Sequence, residues 1–515
     1  MIYLSLIQYM ANKTNNIGTF IARVREIRGI TQQELAKGIG TSQSAIARIE
    51  KGEQNLSMDM VGKISTALNK SLLTLSNDSM NFQINGGRKL SGTVTTNTSK
   101  NAAMALLCAS LLNKGKTILK NMPRIEEVSR IIEVLQSIDV SVKWVGNDIE
   151  IQPPKVFAID KLDVKAATKT RSIIMFAGPL IHAMPSFALP AVGGCKLGSR
   201  TVNPHMFVLE KFGVKVRQEK DMTRFESKKL KPGYIVMYES GDTATNNALM
   251  AASKIPGTTT IKFASSNYMV QDLCYFLVSL GVRIDGIGTT TLIVHGKENI
   301  DCDAVAYPSE DPTESMFFLA AAIVTNSEIT ITRCPIEFLE LELMKLEKMG
   351  FKYKIGEKYK AKNGSTDLAD ITAYPSQLHA LEEKIYGRPY PGLNIDNLPF
   401  FAVIATQAKG TTLIHDWVYE KRAIYYTELD KLGASTILAD QHRIYINGPT
   451  PLKPAELICP PALRPATIIL IAMLGAPGVS ILRNVYSINR GYEDLVNRLN
   501  GLGADIRLLR DMQAS

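Results

Sequence analysis

One phrase recurs six times along the chain and constrains the fold more than any other feature. An amphipathic helix ends at a small residue, and a strand, a polar turn and a second strand follow. The copies read QSIDVSVKWVGNDIEIQ, EKFGVKVRQEKDMTRFES, VSLGVRIDGIGTTTLIVHG, EKMGFKYKIGEKYKA, DKLGASTILADQHRIYING and NGLGADIRLL, the last cut short by the chain end. Their hinge residues are Asp139, Gly213, Gly281, Gly350, Gly433 and Gly503. Glycine suits that place because it enters the left-handed conformation without a Cβ clash. The alternation after each hinge reads as strands with one buried face. The spacing of roughly 70 residues is too long for the common solenoid periods. Six α/β units therefore predict two domains of three units each, with a site between them.

The stretches between copies support this. NAAMALLCASLL (101–112) and ESMFFLAAAIV (314–324) are apolar nearly all round, so both are expected to be buried helices. With 515 residues, 45% hydrophobic and 21% charged, the chain has ordinary globular composition. Its six cysteines are scattered singly, with neither a disulfide framework nor a zinc spacing, which points to a reducing compartment. The start, MIYLSLIQYMANKTNN, lacks the cationic opening of a signal peptide and is too short to span a membrane. A cytoplasmic location is the expectation. The formal net charge of +10 fits solubility, an anionic substrate or nucleic acid, and charge alone does not separate these.

Residues 18–75 carry a different, all-helical pattern. Thr31 and Glu34 form a capping box at the start of TQQELAKG, a turn is expected at Gly38-Ile39-Gly40, and Thr41 or Ser42 caps SQSAIARIEKG. Leu35, Ile39, Ala45, Ile46 and Ile49 pack the two helices together, leaving Gln43, Ser44 and Arg48 outward. The pattern R-x-x-R-G-x-T-Q-x-E-L-A … S-Q-S-x-I-x-R-I-E-K-G resembles the Cro/repressor-type helix-turn-helix family. That resemblance implies double-stranded DNA as a partner, with Gln32, Gln43, Ser44 and Arg48 at the contact. Over residues 1–80, nine Lys and Arg (13, 23, 25, 28, 37, 48, 51, 63, 70) against six Glu and Asp (26, 34, 50, 53, 59, 78) leave a net charge of +3, which permits phosphate binding without proving it. A helical module that serves only dimerisation is the alternative, and a homodimer is compatible with either. SLLTLSNDSM (71–80) has linker composition, and the boundary is drawn to leave 76–80 as the linker.

AVGGCKLGSR (191–200) places Cys195 on a glycine turn beside Lys196 and near Arg200, surroundings that favour a thiolate. Together with the six repeats, Lys100-Asn101 in TSKNAAM, the opening INGGRKLSGTV, PYPGLNID and SINRGYEDLVNRLNGLGADI, this loop makes residues 81–511 resemble the UDP-N-acetylglucosamine enolpyruvyl transferase family, with 5-enolpyruvylshikimate-3-phosphate synthase as its sister. The implied fold is an α/β, two-domain enolpyruvyl transferase fold of six repeated units (an inside-out α/β barrel), plus a small all-α helix-turn-helix domain. The expected division is an extension over 1–17, the helix-turn-helix domain over 18–75, a discontinuous first domain of 81–99 and 310–515, and a second domain of 100–309 carrying the cysteine loop.

The resemblance implies transfer of the enolpyruvyl group from phosphoenolpyruvate to the 3-hydroxyl of UDP-N-acetylglucosamine, the first committed step of peptidoglycan synthesis. No metal or organic cofactor is implied. Such chemistry needs cations for a phosphate and a carboxylate, an acid for C3 and a base for the hydroxyl. By resemblance Lys100, Asn101, Arg200, Arg464 and Arg490 hold phosphoenolpyruvate, Lys100 also being catalytic. Arginine forks suit such groups because they bind them in a bidentate way. Cys195 is the proton donor and Asp396 the base. Arg171, Arg200, Asp396 and Val418 face the nucleotide sugar. The bland readings are a solvated lysine at 100, surface arginines, and a turn aspartate at 396 in a Pro/Gly segment. Asp311 and Glu314 in SEDPTES look like an acid pair, but a helix N-terminal cap explains them better.

The departures from the family cluster on the acceptor side. RTVNPH puts Asn203 and Pro204 where the family has an acid and an apolar residue, and ESGDT (239–243) stands in place of the strand that reaches the nucleotide in the family. Ala462 and Asn489 each stand where the family has an acid. Two alternatives stay open on these residues: enolpyruvyl transfer to a different nucleotide acceptor, or a non-catalytic regulator that senses a ligand.

Overall fold

A computed structural model of the chain describes residues 80–191 and 201–510, together with 18–54 (except 20 and 27), 56, 60, 63, 64, 67 and 68. All six hinge residues take positive φ: 65° at Asp139, 95° at Gly213, 88° at Gly281, 96° at Gly350, 87° at Gly433 and 95° at Gly503. The helix-to-strand reversal is thus made the same way each time. Asp139 does it without being glycine, in keeping with the tolerance of aspartate for this region.

Each reversal feeds a sheet, and six sheets form among the described residues. Three units build hairpins as the alternation predicts: Ser141–Val145 with Asp148–Gln152, Val214–Gln218 with Met222–Ser227, and Arg283–Asp285 with Thr291–Gly296. The fifth unit does the same with Ser435–Leu438 and Arg443–Gly448. The fourth unit departs from the expectation. Lys352–Ile355 and Tyr359–Lys360 do not pair with each other; both pair with Asp367–Tyr374. A longer strand with an alternating buried face, DLADITAY, outcompetes the two-residue one. The truncated sixth unit finds its partner at the other end of the module. Ile506–Arg510 pairs with Met80–Gly86, which also pairs with Gly478–Arg483.

The units gather around two cores. In the first, helices Lys100–Ala109, Asp242–Ala252 and Tyr268–Ser279 pack on one another with sheets outside them. In the second, Pro312–Val324, Leu398–Ala405 and Leu463–Gly475 do the same. Every residue of Pro312–Val324 is buried, because the helix is apolar on all sides and has neighbours on all sides. The expected helix 101–112 ends at Ala109 and tightens into a 3-10 turn over Ser110–Leu112. Asp311 caps Pro312–Val324 through the Thr313 N–H, 2.8 Å away, so it serves as the cap its sequence context implied. Glu314 accepts from the Asn97 N–H (2.8 Å) and pairs with Arg498 (2.7 Å). No helix among the described residues is long and apolar enough to cross a membrane.

The N-terminal module has its own small core of Ile21, Val24, Leu35, Ile39, Ile46, Ile49, Ile64 and Leu68. Thr31 and Glu34 make both bonds of the capping box on helix Gln32–Ile39. The turn is shorter than expected. Gly38 and Ile39 remain helical, and the chain reverses at Gly40, φ 72°. Ile39 is buried, and that holds the last turn in helical form. Ser42, not Thr41, caps Gln43–Lys51.

Candidate active site

The first strongly charged cluster begins at the start of helix Lys100–Ala109. Ser99 caps it by accepting from the Asn101 and Ala102 N–H groups, which places Lys100 on its first turn. Lys100 Nζ donates to Glu127 Oε2 at 2.7 Å. Arg490, in the turn after Tyr486–Asn489, donates to Glu127 Oε1 at 2.5 Å. One carboxylate therefore holds two cations, one from each core. Burial opposes the Glu127 charge, but Lys100 and Arg490 outweigh it and hold its carboxyl down to about 2.

A second pair stands beside the first. Arg464 opens helix Leu463–Gly475, donates to the Tyr492 hydroxyl at 2.8 Å, and approaches Asp396 Oδ2 at 3.4 Å. Burial works against the Arg464 charge, and Tyr492 and Asp396 reverse it, leaving the guanidinium more firmly protonated than usual. Asp396 lies in a turn just before helix Leu398–Ala405, where its N–H donates to the Asn394 side chain at 2.9 Å. Tyr268 bridges the two groups. Its hydroxyl accepts from Asn101 at 3.4 Å and from Ser99 at 3.2 Å, and it lies within the electrostatic reach of Asp396 and Arg464.

The remaining residues form a third group. Arg171 donates to the Thr201 carbonyl at 2.7 Å and lies near His205. His205 is buried between Thr243 Oγ1 (3.3 Å) and Asn247 Nδ2 (2.9 Å), and burial together with Arg171 lowers its pKa to about 3. It is therefore neutral at pH 7. Asn203 and Pro204 open helix Asn203–Lys211. The segment 239–243 is not a strand. The strand ends at Val236, and Asp242 begins helix Asp242–Ala252. Asp242 accepts from Ser265 (2.5 Å) and Asn267 (3.3 Å), and burial with nearby Asp396 raises its pKa. Val418 is half-exposed, on a segment anchored by the buried pair Arg422–Asp416 at 2.5 Å.

Five of the expected residues, Lys100, Asn101, Asp396, Arg464 and Arg490, thus converge between the cores. Cys195 and Arg200 lie outside the described residues. Glu127, Tyr268, Tyr492 and Asp242 were missed from the sequence. The signal for Glu127 was a pair of acids, Glu126 and Glu127, opening an amphipathic helix; nothing local tells which cations they meet. In the N-terminal module Gln43, Ser44 and Arg48 are exposed, and Gln43 donates to Gln32 at 2.6 Å.

Comparison with known proteins identifies the family. Residues 84–499 match the EPSP synthase (3-phosphoshikimate 1-carboxyvinyltransferase) family and residues 21–75 match a helix-turn-helix family. The chain is 33% identical over 428 residues to the UDP-N-acetylglucosamine 1-carboxyvinyltransferase of Bradyrhizobium diazoefficiens, covering 83% of this chain and 97% of that protein. It is 34% identical over 435 residues to the enzyme of the same name from Treponema denticola, covering 83% and 99%. Among solved structures, the enolpyruvyl transferase NikO from Streptomyces tendae superposes with a TM-score of 0.73 at 24% identity, over 84% of this chain and all of that one. EPSP synthase from Acinetobacter baumannii follows at 0.63 and 16%, again over 84% of this chain and all of that one. These two structures share the fold. From its two ends and its two cores, the chain belongs to the enolpyruvyl (1-carboxyvinyl) transferase family and carries a helix-turn-helix module in front.

Proposed function

We propose that the chain transfers the enolpyruvyl group of phosphoenolpyruvate to the 3-hydroxyl of UDP-N-acetylglucosamine, releasing phosphate, in the cytoplasm. The observation that carries this reading is the convergence of Lys100 and Arg490 on Glu127. Two cations from separate cores are held about one anion, so an incoming phosphate or carboxylate competes for a place already shaped for negative charge. Asn101 and Arg464 extend that cationic and polar wall.

Asp396 takes the proton of the acceptor hydroxyl while its oxygen bonds to C2 of phosphoenolpyruvate. Cys195 protonates C3, which yields a tetrahedral phospho-ketal. Loss of a C3 proton and cleavage of the C2–O bond to phosphorus then expel phosphate and leave the enol ether. Arg464, 3.4 Å from Asp396 Oδ2, orients the carboxylate for that role. Arg171 and Val418 face the nucleotide sugar. The helix-turn-helix presents Gln32, Gln43, Ser44 and Arg48 to duplex DNA. The domain division is 81–99 with 310–515 against 100–309.

The test is phosphate release from phosphoenolpyruvate on adding UDP-N-acetylglucosamine. Release that needs both substrates is expected; binding of both without release overturns the enzyme reading. A second acceptor reading draws on Asp242, a carboxylate near Asp396 in the segment that departs from the family. If release appears only with another nucleotide, the acceptor assignment fails and the chemistry stands. For DNA, retention of a labelled duplex that is lost in Arg48→Ala with Gln43→Ala is expected; no retention by the full chain sinks that part.

A further inference from the structure

Helix Glu126–Ser137 opens with two acids, and consecutive helical residues point about 100° apart. Glu127 therefore turns to Lys100 and Arg490, while Glu126 turns to Arg28 of the N-terminal module. Both members of the Arg28–Glu126 pair are buried, at 8% and 4% exposure, and Arg130 supports Glu126 from one turn further on at 2.9 Å. Arg124, two residues ahead of the helix, lies 4.4 Å over the Trp144 ring and donates to the carbonyls of Arg28 and Gly146. Gly29 has φ 61° and sits so close on Trp144 that a Cβ there would lie 2.2 Å from it. Beside this contact lies a cavity of about 300 Å³, lined by Arg28, Ile30 and Ala67 of the module and by Phe82, Trp144 and Tyr492 of the body. The contact leaves Gln43, Ser44 and Arg48 exposed.

We propose that this contact makes the chain a sensor of phosphoenolpyruvate: filling the site between Lys100 and Arg490 loosens the helix-turn-helix module from its seat on Arg124, Glu126 and Trp144. The two carboxylates belong to one helical turn. With the site empty, Glu127 is fixed by its two cations and Glu126 is presented to Arg28. An entering anion takes over Lys100 and Arg490, Glu127 loses both partners, and the turn that carries Glu126 is no longer held. By linkage, a module that docks better on the empty site weakens anion binding by the same factor that the anion weakens docking. The inference rests on the reading of Lys100 and Arg490 as phosphoenolpyruvate ligands.

The test is calorimetric affinity for phosphoenolpyruvate in the full chain and in two variants that cut the contact from opposite sides, Arg28→Gln and Arg124→Gln. Both variants are expected to bind about 5-fold tighter or more, the lower range of ordinary coupling. Trp144 is one of two tryptophans, so Trp417→Phe leaves it as sole reporter. Its emission is expected to shift on adding phosphoenolpyruvate, and not to shift further when Arg28→Gln is also present. Equal or weaker binding in both variants, with Trp144 emission unmoved, overturns the coupling while leaving the substrate reading intact. Absence of binding in all three proteins overturns both.

Discussion

The two ends of the site are built on different physics. At the end proposed for phosphoenolpyruvate, charge meets charge: Glu127 pairs with Lys100 and Arg490, and the Arg464–Asp396 pair stands beside them. At the end proposed for the acceptor the buried groups are neutral or reluctant to ionise, with His205 near 3 and Asp242 raised by burial. The first arrangement keeps cations ordered for an anion before it arrives, which lowers the reorganisation needed on binding. The second reads hydrogen-bonding shape more than charge. The sequence departures at 203–204 and 239–243 fall on the second.

The largest test of this contrast is Asp396→Asn. Removing the proposed general base should cut phosphate release by about 10²–10⁴-fold while phosphoenolpyruvate still binds, as calorimetry can check. Binding lost together with turnover would show that Asp396 serves only to hold Arg464.

Glu127→Gln comes next. Its folded pKa near 2 lies below the ordinary 4.5, so its contribution to stability is full above about 4.5 and fades as pH falls toward 2. That contribution is of order 3 kcal/mol. Urea unfolding should show a flatter acid slope over this window in the variant. At pH 7 the same change should lower KM for phosphoenolpyruvate, since the competing carboxylate is gone.

A smaller effect is expected of Asp242→Asn. Asparagine keeps the shape of this side chain but loses one of the two oxygens that accept from Ser265 and Asn267, so the variant should raise KM for UDP-N-acetylglucosamine by a few-fold and leave KM for phosphoenolpyruvate unchanged. Steady-state kinetics with each substrate varied in turn separates the two. An equal change in both would erase the distinction between the ends.

The smallest is His205→Gln. A histidine already neutral at pH 7 has no proton to lose between pH 6 and 8, so the pH profile of kcat/KM for the acceptor should keep its shape. The native histidine penalises the folded state as pH falls from about 6.5 toward 3, and the glutamine should remove that part of the acid sensitivity. A titration near neutrality that vanishes in the variant would place a charge where the structure has none.

Much of the scaffold is legible before any coordinates. The hinge positions carry their own conformational demand, and all six adopt it. The apolar helices announce their burial by having no polar face, and the capping box at Thr31 is local chemistry. Lys100, Asn101, Asp396, Arg464 and Arg490 are legible through their motifs. Where neighbouring segments competed, local reading failed. The fourth unit's short strand yielded to Asp367–Tyr374, and Asp242 began a helix where a strand was expected.

What the sequence determined by itself, then, was periodicity: which residues reverse the chain, which faces are apolar, and which module reads as helix-turn-helix. Tertiary structure alone decided the partners. Glu127 meets Arg490 across 363 residues, Arg464 meets Tyr492, the first strand of the module completes the last unit, and Arg28 meets Glu126. The physical reason is range. Backbone preference and hydrophobic period act within a few residues, while an ion pair between distant segments exists only once packed cores bring its two ends together.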